Sequence, residues 1–322
     1  MATIDATATR LAALLGGPGR ELADPTGSDL MFEDDPVFVP LQRTAPPPDA
    51  WAVDGGQALV ADARCLQVYV TRASTVRWRN GRSEREDEGT LEHHLLGRGE
   101  ERAALAASGA PVAPGTAVDV NLLRDWGEWR AVAAAVAAAG PGALVLVDGD
   151  LQPDWRIAAG WLGELLAAAA RREVTVLGVT KHSSLSLGAT PLLGHLEREG
   201  AALLGPRATW WTEVAHTRSD VGPGLRVVVA RLDPDARFAF RVDLPMDAPI
   251  AGTLGALSAL SNDAGFPGYP YPLSVADRVA SCPGWLRTEV WQLLDRAFDE
   301  RGIDRELRER AFADRHRLME RA

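Results

Sequence analysis

Two short apolar runs in the middle of the chain alternate with helical patterns. The runs ALVLV at 143–147 and VTVLGV at 174–179 are typical of strands buried on both faces of a sheet. The Ala-rich segment 121–140 ends at Gly140, with Pro141 after it, and predicts a helix before the first run. Pro153 suits a first helical position, and a helically spaced apolar stripe predicts a helix between the runs: Trp155, Ala158, Leu162, Leu165 and Ala169.

The flanking segments predict a mixed sheet. Residues 1–48 form an N-terminal arm with a helix near Ile4–Leu15 and an edge strand in PVFVPLQ. The segments WAVDGGQALVAD, CLQVYVT and TVRWRN predict an antiparallel meander of three strands, and the charge-dense stretch 82–102 predicts a solvated, helix-rich insertion. LRVVVARL and ARFAFRVDL predict two more strands before the C-terminal helices. The order indicates an α/β protein with a core domain at 49–282 and C-terminal helices at 283–322.

The composition indicates the cellular compartment of the protein. No run of about 18 uncharged apolar residues occurs, so no membrane-spanning helix is expected. The N-terminal residues lack the basic region of a signal peptide. Two cysteines, Cys65 and Cys282, give no disulfide framework, and we interpret them as small buried side chains in a cytoplasmic protein.

The charge excludes one class of function. The net charge is −10 and the pI is near 5.2, whereas a protein that coats nucleic acid passively should be basic. Local basic channels and acidic metal sites remain compatible with this charge. Of the 34 lysine and arginine residues, 33 are arginine. The single lysine, Lys181, either marks a position that needs a compact ammonium or is present by chance.

Acidic residues follow two of the predicted strands. Asp54 precedes Gly55-Gly56 in the first strand of the meander, and Asp148 precedes Gly149 after ALVLV. Each Asp-Gly pair alone is compatible with an ordinary turn. Because ligands of open α/β sheets gather at the carboxyl ends of strands, the repeated pattern favours a binding site there.

Two acidic residues on predicted helices are further candidates for this binding site. Glu128 lies among apolar residues of the helix before Asp148, where it either needs a partner such as Arg124 or joins the site. Asp277, in PLSVADRVA, is either a solvated helix residue or a fourth oxygen donor. Four converging carboxylates predict a site for Mg²⁺ or Mn²⁺, and Lys181, at the end of VTVLGV, could neutralise a phosphate beside it.

The ordered set of segments resembles the NurA nucleases, which have a ribonuclease-H-like fold and work with the hexameric HerA translocase. The matching segments are AVDGG at 52–56, the Glu128 helix, LVLVDGDL at 144–151, GVTK at 178–181, FRVDLP at 240–245 and GYPYPLSVADRVA at 268–280. The resemblance implies a manganese site at Asp54, Glu128 and Asp148, a fourth ligand at Asp277, and Lys181, Arg241 and Tyr269 near the substrate. It also implies a homodimer. Gly56 and Asp150 depart from the family, which usually has Ser at both positions, and Asp277 lies where the family often has His.

The resulting hypothesis is a DNA nuclease that depends on Mn²⁺ or Mg²⁺, with two ions, and acts with a HerA-like ATPase in double-strand-break end resection. The two departures keep open a catalytically weak or silent adaptor for the ATPase, and another phosphoryl-transfer enzyme is a third possibility. His93-His94 is interpreted as part of a solvated helix, and Trp210-Trp211 as core or dimer contact.

Overall fold

The structure, a computed structural model, describes residues 3–16, 22–24, 30–188, 190–217 and 224–313. Its strands are β1 Leu22–Ala23, β2 Leu30–Phe32, β3 Val39–Pro40, β4 Ala50–Asp62, β5 Gln67–Arg79, β6 Arg82–Asp87, β7 Glu92–Leu96, β8 Leu144–Asp148, β9 Thr175–Thr180, β10 Ser186–Leu187, β11 Thr190–Pro191, β12 Trp210–Thr217, β13 Leu225–Arg231 and β14 Phe240–Pro245. Its helices are α1 Ile4–Gly16, α2 Glu101–Ser108, α3 Val120–Ala138, α4 Gly160–Arg171, α5 Leu192–Leu204, α6 Ile250–Ala259, α7 Tyr271–Ala280, α8 Gly284–Glu300 and α9 Arg305–Ala311.

A large mixed sheet forms the centre of the fold. Its strands lie in the order β2-β12-β13-β14-β9-β8-β4-β5-β6, with β3 paired to β12 and β7 paired to β5. The three central strands β4, β8 and β9 are parallel, and the neighbouring strands β5 and β14 are antiparallel to them. The prediction of a mixed α/β sheet is confirmed.

Helices cover both faces of the central strands. On one face Val145 and Val147 pack with Trp129 and Val132 of α3 and with residues of α4. On the other, Leu146 packs with α6 and α7. Burial on both faces explains why β8 reads as a continuous apolar run, and it places α3 and α7 on opposite sides of one strand end.

The segment after β4 differs from its prediction. CLQVYVT and TVRWRN lie in the single strand β5, and the stretch predicted to be helix-rich contains the strands β6 and β7 before the short helix α2. The charges of β6 fit an edge strand because they pair across the sheet, as Arg77 does with Glu84 at 3.3 Å. The helical interpretation of His93-His94 was therefore wrong: His94 is buried in β7, and its Nε2 lies 2.8 Å from Thr71 Oγ1.

The structure also tests three predictions about individual residues and a helix. The helix predicted from Pro153 begins only at Gly160, and Trp155 is 87% exposed in the segment before it, where the Asp154 backbone N–H donates to Asp125 Oδ2 at 2.8 Å. Cys65 is exposed, contrary to the prediction that it is buried. Trp210 is buried in the core as predicted.

The N-terminal segment adds strands to one edge of the central sheet. The predicted helix of the N-terminal arm is confirmed as α1, and β2 and β3, which follow it, pair with β12 at one edge of the sheet. The domain boundaries predicted after residues 48 and 282 stay predictions. The last residues of the predicted C-terminal helices, 314–322, lie outside the described residues. No helix in the described ranges is both long and apolar enough to cross a membrane.

Candidate metal centre

Three carboxylates from three elements meet at one edge of the sheet. Asp148 is the last residue of β8, as predicted, and Asp277 lies in α7. The prediction that the strand of Asp54 also ends at this residue was wrong, because β4 continues through Gly55 and Gly56 to Asp62 in its pairing with β5. One oxygen from each lies within 4.8 Å of the others. The structure thus brings together three of the four acids that the sequence placed in a metal site.

Strand periodicity explains why these side chains share a face. Ala52 and Leu146 point into the core beneath α6 and α7. Because side chains two residues apart in a strand point to the same face, Asp54 and Asp148 point toward α7 as well, just past the parallel pairing of β4 with β8. Helix α7 presents Asp277 to them from above the sheet.

The proximity of the carboxylates is electrostatically costly. Burial raises the pKa of Asp54 to about 7, and the charge of Asp148 adds to this effect while the Gly55 backbone N–H, 2.7 Å from Asp54 Oδ1, opposes it. A group of acids with this mutual repulsion gains stability from a cation.

Lys181 provides one such positive charge. Its Nζ lies 2.6 Å from Asp148 Oδ2 and 3.1 Å from Asp277 Oδ1, and 5.2 Å from the centre of the Tyr269 ring. Burial lowers the pKa of the ammonium, but the hydrogen bonds and charges of the two carboxylates outweigh burial and raise this pKa above its ordinary value. The single lysine of the chain therefore stays charged within the carboxylate cluster.

Glu128 approaches from the opposite face. Its carboxylate lies against Gly55, where a Cβ would collide with Glu128 Oε1, so the glycine leaves the space that the acid fills. Glu128 lies outside the group of three whose oxygens are within 4.8 Å, and its nearest cation is Arg124, with Nε 3.2 Å from Oε1. Burial raises the pKa of Glu128 to about 8, against the favourable charge of Arg124.

This raised pKa predicts a pH dependence of stability. Because the folded protein binds the Glu128 proton more tightly than the unfolded chain, its free energy of unfolding should fall as the pH rises from about 5 to about 8 in EDTA. Glu128→Gln should reduce that fall, while Asp54, with a pKa near 7, still contributes. Urea unfolding across this pH range measures the slope. The exposed Glu164→Gln serves as control, and equal slopes in wild type and Glu128→Gln would contradict the expectation.

Tyr269 and Arg241, the other two predicted site residues, are more deeply buried than the carboxylates. Tyr269 is 2% exposed, and burial together with the charges of Asp148, Asp54 and Asp277 raises the pKa of its phenol well above the ordinary value, so it remains a hydrogen-bond donor beside the carboxylates. Arg241 is 1% exposed. A role of Arg241 in substrate contact stays a prediction.

Arg241 fixes the loop that follows β8. Its Nε donates to Asp243 Oδ1 at 2.7 Å, and Asp243 Oδ2 accepts the Leu151 backbone N–H at 3.1 Å. Asp150, one of the departures from the family, lies 3.6 Å from Arg241 Nη1, and burial raises its pKa to about 6. Asp150 thus belongs to this arginine network.

The other departure is explained by packing. A Cβ on Gly56 would collide with the carbonyl oxygen of Ala280, the last residue of α7. That carbonyl also accepts a hydrogen bond from Arg72 Nε at 3.1 Å, which fixes the end of the helix. Glycine at 56 therefore allows α7 to approach β4 closely enough to place Asp277.

The donor set fits a divalent cation. Carboxylate oxygens are the ligands that Mg²⁺ and Mn²⁺ prefer, and three of them converge from two strands and a helix at one edge of the sheet, where Asp54 and Asp148 are half-buried and Asp277 is exposed. The sequence did not identify the exposed rings of Phe238 and Phe266 next to this centre. Their exposure is a tertiary property, and their sequence context of apolar and turn residues gave no signal for it.

Comparisons with known proteins agree with this fold. Matching the sequence to protein-family models gives no match, and none of the curated proteins is significantly similar. The structure is similar to a crystal structure of the NurA nuclease from Sulfolobus solfataricus, with 17% identity, a TM-score of 0.54, and coverage of 82% of this chain and 88% of that one. A second NurA structure aligns with 9% identity and a TM-score of 0.45, over 74% and 86% of the two chains. A variant of the catalytic domain of human endonuclease V aligns with 15% identity and a TM-score of 0.38, over 83% and 92%. The chain therefore shares the ribonuclease-H-like fold of the Sulfolobus solfataricus NurA nuclease.

Proposed function

We propose that this chain is a DNA nuclease of NurA type that hydrolyses phosphodiester bonds with the help of divalent metal ions. The observation that carries the proposal is the convergence of Asp54, Asp148 and Asp277, with their oxygens within 4.8 Å, on a fold similar to that of a NurA nuclease. The ordered sequence motifs that resemble the family supply these residues.

The carboxylates would hold the metal. Asp54, Asp148 and Asp277 offer oxygens to Mn²⁺ or Mg²⁺, and Glu128, across Gly55 from them, would complete the donor set for two ions. When bound, such ions supply Lewis acidity toward phosphate oxygens and make water more acidic. The chain's own contribution is to preorganise oxygen donors on two strands and two helices.

Lys181 and Tyr269 would act on the phosphate. The Lys181 ammonium bridges Asp148 and Asp277, so it lies where a phosphate held at the carboxylates would approach. A fixed positive charge at that position stabilises the additional negative charge of the transition state. The protonated Tyr269 hydroxyl can donate to an oxygen in the same place.

The remaining parts of the proposal concern partners. DNA is the substrate, and a homodimer and a HerA-like hexameric ATPase, acting in double-strand-break end resection, follow from the family resemblance. A net charge of −10 is compatible with DNA binding if basic residues line a restricted channel.

Cleavage of end-labelled single- and double-stranded DNA tests the proposal. Wild-type protein should cleave with Mn²⁺ or Mg²⁺ and stop with EDTA, and Asp54→Ala should be inactive under all conditions. The assay is repeated with a HerA-like ATPase added. Absence of cleavage by wild-type protein in every condition would contradict a nuclease and favour the adaptor, whereas cleavage retained by Asp54→Ala would refute this site.

A further inference from the structure

An aromatic pocket adjoins the carboxylate cluster. Its volume is about 540 Å³, and it shares Lys181, Tyr269 and Asp277 with the candidate metal centre. On the other side it is lined by Phe238 and Phe266. A cavity of this size is ample for a small organic group such as one nucleotide.

Both phenylalanine side chains are partly exposed. Phe266 is 47% exposed and Phe238 is 43% exposed. The ring of Phe266 packs against the buried rings of Phe240 and Tyr269, with its centroid 6.2 Å from each of theirs. These contacts hold the ring in place, while part of its surface remains open to the pocket. An exposed ring that is held in place in this way offers a stacking surface for a planar group.

The polar groups of the pocket complement a nucleotide. Lys181 and the exposed His182 can face a phosphate at the end shared with the metal centre. At the aromatic end Glu197 accepts the Ala239 backbone N–H at 2.6 Å, and its carboxylate is available to the N–H groups of a base edge. The charged end and the aromatic end thus match the two ends of one nucleotide.

We propose that this pocket binds an unpaired nucleobase of the DNA strand whose phosphate occupies the carboxylate cluster. The inference rests on the proposed function, because it places the scissile phosphate beside Lys181. A base within a duplex is stacked and paired and cannot enter such a pocket, so the substrate near the cut is single-stranded or locally unpaired. Stacking on phenylalanine is tolerant of sequence and gives no strong preference among bases.

A comparison of two oligomers isolates the contribution of the bases. Fluorescence anisotropy measures binding of labelled oligothymidine and of an abasic oligomer of equal length, with Ca²⁺ in place of Mn²⁺. Both oligomers carry the same backbone charge, so the ratio of their affinities reports base contacts alone. Wild-type protein should bind oligothymidine more tightly, and Phe266→Ala should reduce its affinity for oligothymidine about fivefold or more while changing that for the abasic oligomer little.

Two further variants exclude a trivial loss of structure. Phe266→Trp should restore the preference for oligothymidine, because it keeps a stacking surface. Trp285→Ala removes an aromatic side chain that is more exposed than Phe266 and lies outside the pocket, and it should have no effect. If wild-type protein cleaves DNA but Phe266→Ala keeps the full preference for oligothymidine, the pocket is refuted and the nuclease stands. If wild-type protein neither binds nor cleaves DNA, the proposed function fails, and the pocket with it.

Discussion

Asp148→Asn is expected to abolish metal-dependent cleavage while leaving the fold intact. The substitution keeps the shape of the side chain but removes a charge from the carboxylate that lies within 4.8 Å of its two neighbours and 2.6 Å from Lys181 Nζ. Metal ions contribute several kcal/mol of transition-state stabilisation, so the loss should be on the order of 10³-fold in kcat/KM. Cleavage assays at several Mn²⁺ concentrations measure it.

Calorimetry separates loss of metal from loss of structure. Wild-type protein should be stabilised by Mn²⁺, and Asp148→Asn should lose most of that stabilisation because the metal binds only the folded site. Asp247→Asn alters an exposed acid away from the cluster and should behave like wild type in both assays. Full activity in Asp148→Asn would exclude this cluster as the catalytic centre.

Gly56→Ala is expected to be strongly destabilising and inactive, although it adds only one methyl group. The added Cβ would collide with the Ala280 carbonyl, which is backbone and already holds Arg72. Helix α7 must therefore move away from β4, at a cost of about 3 kcal/mol in the free energy of unfolding. Since α7 carries Asp277, the same movement should separate this acid from Asp54 and reduce cleavage.

Gly127→Ala is the matched control. Gly127 lies within α3, and a Cβ there would find its nearest neighbour, Arg130 Nη2, at 3.8 Å, an ordinary contact distance. Alanine should stabilise the helix by about 1 kcal/mol, and the cleavage rate should not change. Urea unfolding of both variants measures the two changes, which should have opposite signs. A Gly56→Ala protein as stable and active as wild type would show that α7 does not need this close contact.

The sequence by itself predicted the central strands and two of the acids that they carry. β8 and β9 were recognised because burial on both faces demands continuous apolar runs. Asp54 and Asp148 were recognised because each follows a short apolar run and precedes a glycine, although only Asp148 ends its strand. These features are local, so they are visible in a few consecutive residues. The single lysine was found from composition alone.

The tertiary structure decided what long-range packing determines. It assigned the charged stretch 82–87 to an edge strand, since pairing to β5 outweighs any local helical tendency. It placed Glu128 behind Gly55 while Asp277 joins Asp54 and Asp148, because alternate residues of β4 face helices on opposite sides of the sheet. It also left Phe238 and Phe266 open beside the carboxylates, a property of the surrounding elements that no single segment encodes.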